Sequence, residues 1–134
     1  MTTEQIRKRE WLSRAKLLFE QLKKTQKQLL RYQRQKIFLF EIGISDDVLE
    51  QKIENNIQNQ KKQIENLIAL HEEIRSMILT LHDDTLETIL IRYYLLYESY
   101  SIIAQKMNYS KRHIQRLFFQ AIDKFIVLEA GETT

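Results

Sequence analysis

Between residues 1 and 134 there is no proline, and glycine stands only at positions 43 and 131. A chain so poor in both residues has few ways to make the tight turns that a β protein needs. Leu, Ile, Gln, Lys and Glu are abundant, and these residues lose little on entering a helix. The expectation is therefore an all-α fold. At 134 residues and 43% hydrophobic content the chain reads as folded, as one domain or two small ones with a modest core.

Hydrophobic spacing then marks out the helices. Thr2 with Gln5 forms a capping-box pattern. The helix it opens carries Trp11, Ala15, Leu18, Leu22, Thr25, Leu29 and Tyr32 at alternating steps of four and three. This seam predicts a helix to about Lys36, roughly 50 Å at about 1.5 Å per residue. Ile37 to Ile44 is a dense apolar run that includes Gly43 and breaks the period. It is expected to connect two helices, its side chains capping the end of a hairpin. Ser45-Asp46-Asp47 starts a second helix, with a serine N-cap and carboxylates at the positive end of the helix dipole. Its seam runs through Ile53, Ile57, Gln60, Ile64, Leu67, His71, Ile74, Ile78 and Leu81, with a polar middle at residues 55–63. Two helices of similar length and equal period, joined by a short link, pack antiparallel.

Charge is segregated along the chain. Residues 1–37 hold 11 Lys/Arg against 3 Asp/Glu, a net +8; residues 38–91 hold 4 against 11, a net −7; residues 92–134 hold 6 against 4, a net +2. Folding back is expected to bring Asp46, Asp47, Glu50 and Glu54 towards Arg31, Arg34 and Lys36. The acids from Glu65 to Glu73 would then approach Arg7 to Arg14. Exposed pairs contribute only about 0 to 1 kcal/mol each, so they set orientation more than stability. The basic first helix would also suit nucleic acid, but matching seams favour its pairing with the acidic second one.

His82-Asp83-Asp84 interrupts the second seam and supplies a new N-cap, after which Leu86, Ile89, Leu90, Tyr93, Tyr94 and Tyr97 make the apolar side of a third helix. Ser99 to Phe125 follows as two short amphipathic helices joined by a tight turn, the pattern of a helix-turn-helix. Tyr100, Ile103, Ala104 and Met107 form the stripe of the first. Asn108 tolerates the left-handed backbone that ends a helix, and Ser110 caps the next. On the second, Ile114, Leu117, Phe118, Ala121, Ile122 and Phe125 share one side. Lys111, Arg112, Gln115 and Arg116 lie at its leading end away from that side, as base-reading residues in a DNA major groove would. Ser99, Tyr100, Lys106 and Ser110 are placed for flanking phosphates. The plainer alternative is the solvated face of a packing helix. The tail after Leu128 has Gly131 as a terminator and is expected to fray.

Ile103-Ala104, Lys106 to Ser110, Arg112, Ile114, Arg116-Leu117, Ala121 and Phe125 resemble region 4 of the sigma-70 factors. More closely, residues 84–128 are similar to the Gram-positive phage transcriptional regulators of the ArpU and RinA type, while residues 1–82 match them only in architecture. The resemblance implies DNA-binding control of transcription, phage or prophage encoded, with RNA polymerase as a second partner. Tyr93 stands where those families usually have arginine, Tyr97 where a glycine makes the first turn, Ile102 where an acid follows the cap, and Asn108 where the turn has glycine.

Other chemistry finds little support. His71, His82 and His113 are isolated, there is no cysteine, and neither a phosphate-binding glycine loop nor a nucleophile elbow is present. Asp83 and Asp84 read as caps. No enzymatic activity, cofactor or metal is expected. The lack of cysteine, of a long apolar run and of a signal-peptide core suits a cytoplasmic protein away from membranes. The expected architecture is a long antiparallel helical hairpin at residues 1–82, followed by a three-helix unit with a helix-turn-helix at residues 83–134. A bare hairpin leaves its outer faces uncovered, so a homodimer through the hairpin is expected, setting recognition helices at multiples of roughly 34 Å. Two other functions fit the same pattern: a module docking on RNA polymerase or another phage or host protein, and a phage DNA-packaging adaptor.

Overall fold

The computed structural model describes residues 1–127, and every regular element in them is helical. Five α-helices, α1 (Thr3–Glu41), α2 (Asp47–Ile78), α3 (Asp84–Leu90), α4 (Tyr100–Met107) and α5 (Lys111–Lys124), are joined by short links. A 3₁₀ turn (Leu79–Leu81) follows α2 and a π-helical segment (Ile91–Leu95) follows α3. The tail after Leu128 lies outside the described residues.

Helix α1 opens as its capping box requires. Thr2 N–H donates to Gln5 Oε1 (3.0 Å), while Thr2 Oγ1 accepts from Gln5 N–H (3.1 Å). Its end differs from the expectation, because helix continues through Ile37–Glu41. Gly43, at φ +73°, then closes it. Gly43 N–H donates to Phe40 O and Ile44 N–H to Leu39 O, the paired bonds of a Schellman cap. The apolar run does not cover the hairpin end either: Ile37, Phe38, Phe40, Ile42 and Ile44 are exposed. A helix that turns once every 3.6 residues cannot bury a nearly continuous apolar run against a single neighbour. The cap of α2 is Asp46, not Ser45; its carboxylate accepts from Leu49 N–H at 3.1 Å.

The chain forms two compact units, which part between Leu17 and Leu18 and between His71 and Glu72, not at residue 82. Leu18–His71 is the helical hairpin. Leu22, Leu29 and Tyr32 on α1 and Gln60 and Ile64 on α2 are partly sheltered, and Thr25, Ile53, Ile57 and Leu67 are buried, as both seams require. Buried Thr25 satisfies its hydroxyl by donating to Gln21 O at 2.9 Å. Lys36 meets Glu54 across the hairpin at 2.9 Å.

Met1–Leu17 and the chain from Glu72 form the other unit. Leu12 and Ala15 of α1 are wholly buried, together with Ile74 and Ile78 at the end of α2 and Ile89 and Leu90 on α3. Trp11 packs on Phe125 with ring centroids 5.5 Å apart. Gln5 and Lys8 bond the carboxylate and carbonyl of Asp123 at 2.9 and 3.0 Å. The expected pairing of Arg7–Arg14 with the acids of α2 is replaced by nearer partners. Arg7 bonds Glu4, Arg9 bonds Tyr94 and Tyr93, and Arg14 lies over the Trp11 ring. Glu72, for its part, sits 3.7 Å from Arg75 on its own helix.

Candidate nucleic-acid interface

Local chemistry sets α4, its turn and α5. Asp83 caps α3 by accepting from Leu86 N–H at 3.0 Å. The chain then widens into the π segment, where Leu96 N–H reaches back five residues to Ile91 O. Tyr97 follows at φ +59° and Ser99 caps α4, its hydroxyl accepting from Ile102 N–H at 3.3 Å. Asn108 ends α4 at φ +58°, with Tyr109 N–H bonded to Ala104 O at 3.0 Å. Ser110 starts α5 by accepting from His113 N–H at 3.1 Å.

Helix α5 is held by a fully buried back formed by Ile114, Phe118, Ala121 and Ile122, with Phe125 buried just beyond its end. The opposite side carries the residues expected to read bases. Lys111, Arg112 and Arg116 are exposed and Gln115 is partly so. Arg116 reaches His113 Nδ1 at 2.6 Å, and the His113 ring stands edge-on to Tyr109 at 4.9 Å. The Arg116 guanidinium is thereby held over the first two turns of α5. Lys111 and Arg112 make no ion pair among the described residues. The first turn of α5 contains no acid. Its two cations face the positive end of the helix dipole, an arrangement that weakens a helix by about 0.3 to 1 kcal/mol per charge.

The four residues expected at phosphates divide. Ser99 and Ser110 lie exposed at the leading ends of α4 and α5, each hydroxyl already accepting from backbone. Lys106 is half exposed and ion-paired with Glu98, which also takes Arg92 at 3.1 Å. The Lys106 hydrogen bond, aided by Arg92, holds the Glu98 carboxyl below the usual carboxylate range against the opposing effect of burial. Tyr100 is drawn inward. Its ring stacks on Tyr93 at 5.0 Å and 19° and meets Phe118 edge-on at 5.3 Å. Burial, with Tyr93 beside it, pushes its hydroxyl up to about 12. Tyr100 thus supports α5 from behind.

The support centred on Arg9 went unread in the sequence. Its guanidinium bonds the Tyr94 hydroxyl at 3.2 Å and the Tyr93 hydroxyl at 3.4 Å, and lies 5.2 Å from the centre of the Phe118 ring. Tyr97 adds a hydrogen bond from its hydroxyl to Ala15 O at 3.3 Å. Leu12, one residue off the seam and three before Ala15, is the sequence signal for further burial on α1.

Among the described residues no three His, Asp or Glu side chains gather as a metal site, and no helix is long and apolar enough to cross a membrane. Compared with models of protein families, with curated proteins and with solved structures, the chain matches none.

Proposed function

We propose that this protein is a sequence-specific DNA-binding regulator of transcription whose α4–turn–α5 segment acts as a helix-turn-helix. One observation carries the reading: α5 places Lys111 and Arg112 in its first turn, where the dipole disfavours cations, while burying its whole back. A helix selected for stability alone carries acids there. Cations at that end suit the negative potential of a DNA groove, with Arg112, Gln115 and Arg116 offering the side-chain types that pair with guanine and adenine edges. Ser99, Ser110 and Lys106 border the same segment and suit phosphates. The resemblance to ArpU- and RinA-type phage regulators agrees in residue pattern.

A second reading is favoured by the exposure of Ile102 on α4 and Tyr109 in the turn. In it, this apolar edge docks on a protein such as RNA polymerase, and contact with DNA is incidental.

Selection of bound sequences from random DNA, followed by titration of the selected site and of random duplex, separates the two. Under the first reading, Arg112→Ala or Arg116→Ala relaxes preference at one base pair and loses about 1 to 3 kcal/mol on the selected site only. Lys106→Ala weakens both duplexes alike and shallows the salt dependence. Equal losses on both duplexes for all three variants would remove base reading, and no binding at low salt would leave the protein-docking reading.

A further inference from the structure

The closed end of the hairpin exposes a run of apolar side chains. Ile37, Phe38, Phe40, Ile42, Ile44 and Val48 are all about half or more exposed, Phe40 at 86% and Val48 at 80%. Phe38 and Phe40 stand about 200° apart around α1, so the run is not one patch; the side that also carries Arg31 and Arg34 exposes Leu30, Ile37, Phe38 and Ile42, each about half, or on the order of 400 Å² at roughly 200 Å² per large side chain. The largest apolar patch on an ordinary monomer is about 300 to 600 Å². A stable pair of proteins buries about 800 Å² on each partner. The patch therefore supplies about half of that area, and the charged side chains around it must supply the rest.

Charge around the patch indicates the occupant. Glu41, Asp46, Asp47 and Glu50 rim the tip, while Lys24, Lys27, Arg31 and Arg34 line α1 on the way to it. All eight are exposed, and none makes an ion pair among the described residues. Lys36–Glu54 does join the two helices, but the surrounding block charges remain unmatched within the chain. We infer that the tip is the contact surface between two copies of this chain, paired antiparallel along α1. A two-fold axis near Lys36 sets Glu41 of each copy level with Arg31 of the other and Ile42 level with the exposed Leu30. Because α2 folds back, with Lys36 meeting Glu54, Asp46 and Asp47 then lie towards Lys27 and Glu50 towards Arg31 of the other copy. Each contact occurs twice, as an isologous interface requires. This inference goes beyond the DNA-binding reading and does not depend on it.

Sedimentation of the full chain without DNA tests it. At tens of micromolar and low salt the expected mass is twice the 16.3 kDa of one chain. The double substitution Ile37→Glu, Phe38→Glu should halve that mass with helicity by circular dichroism unchanged, since both side chains are exposed. Should that variant misfold, Arg31→Glu tests the charge register instead. It should weaken the dimer at least tenfold, and Glu41→Arg in the same chain should restore it. A wild-type monomer at the highest concentration, a dimer indifferent to these changes, or a closed ring of more than two copies would overturn the inference.

Discussion

Among the described residues four stand at positive φ, and three of them are not glycine: Gly43 at +73°, His82 at +54°, Tyr97 at +59° and Asn108 at +58°. Asparagine visits this region more readily than most residues, whereas a bulky ring there is strained by about 1 to 2 kcal/mol. Tyr97 is retained there with a hydrogen bond to Ala15 O, so its side chain offsets part of what its backbone loses. Replacing Tyr97 by Ala removes the ring and keeps the strain, while replacing it by Gly removes both. Tyr97→Gly should therefore be more stable than Tyr97→Ala by about 1 kcal/mol, the reverse of the order inside a helix. Asn108→Gly should likewise exceed Asn108→Ala. Urea denaturation of the four variants gives both comparisons, and Ala matching Gly at each site would show that neither backbone is strained. The Asn108 turn was legible because a favourable residue occupied a position of ordinary geometry. For Tyr97 the sequence offered the opposite signal, a residue type that avoids the conformation it adopts.

At the level of elements, periodicity revealed the seams of α1 and α2, and the caps of α3, α4 and α5 followed from Asp83, Ser99 and Ser110. The π segment had no such signature, since Ile91–Leu95 carries the same apolar residues that an α-helix would. Its mouth is closed by Glu98, which clips Arg92 of the π segment to Lys106 of α4. The two cations lower the Glu98 pKa, so its ionised form favours the fold. Its stabilising contribution is full above the ordinary carboxylate value of 4.5 and is lost as pH falls through the lowered value. Glu98→Gln should reduce stability at pH 7 and flatten the decline as pH falls below about 4.5 relative to wild type. Urea midpoints measured across that range read the effect. A variant that loses stability with acid in parallel with the wild type would show that Glu98 contributes nothing to the pH dependence.

At the level of the whole molecule, the compact units do not follow the expected division at residue 82, because heptad spacing describes one stripe of α1 and Leu12 is buried outside it. Trp11 and Ala15 belong to the legible seam, but Leu12 lies one residue outside it and is wholly buried in the unit that contains α5. The first 17 residues are consequently part of the DNA-binding unit proposed above, and a fragment beginning at residue 83 would lack Leu12, Ala15 and the Arg9 guanidinium that meets Phe118. Truncating a buried leucine costs about 2 to 5 kcal/mol. Leu12→Ala should lower stability by that amount and be seen most directly through Trp11, the one tryptophan, whose ring packs on Phe125. DNA binding by the folded fraction should be unchanged, because Leu12 acts only through the core. Trp11 fluorescence during urea denaturation, with a duplex titration below the transition, measures both quantities. An 83–134 fragment that kept full helicity and full DNA affinity would show that the N-terminal segment is dispensable, and the two-part division at residue 82 would then describe the molecule better than the compact units do.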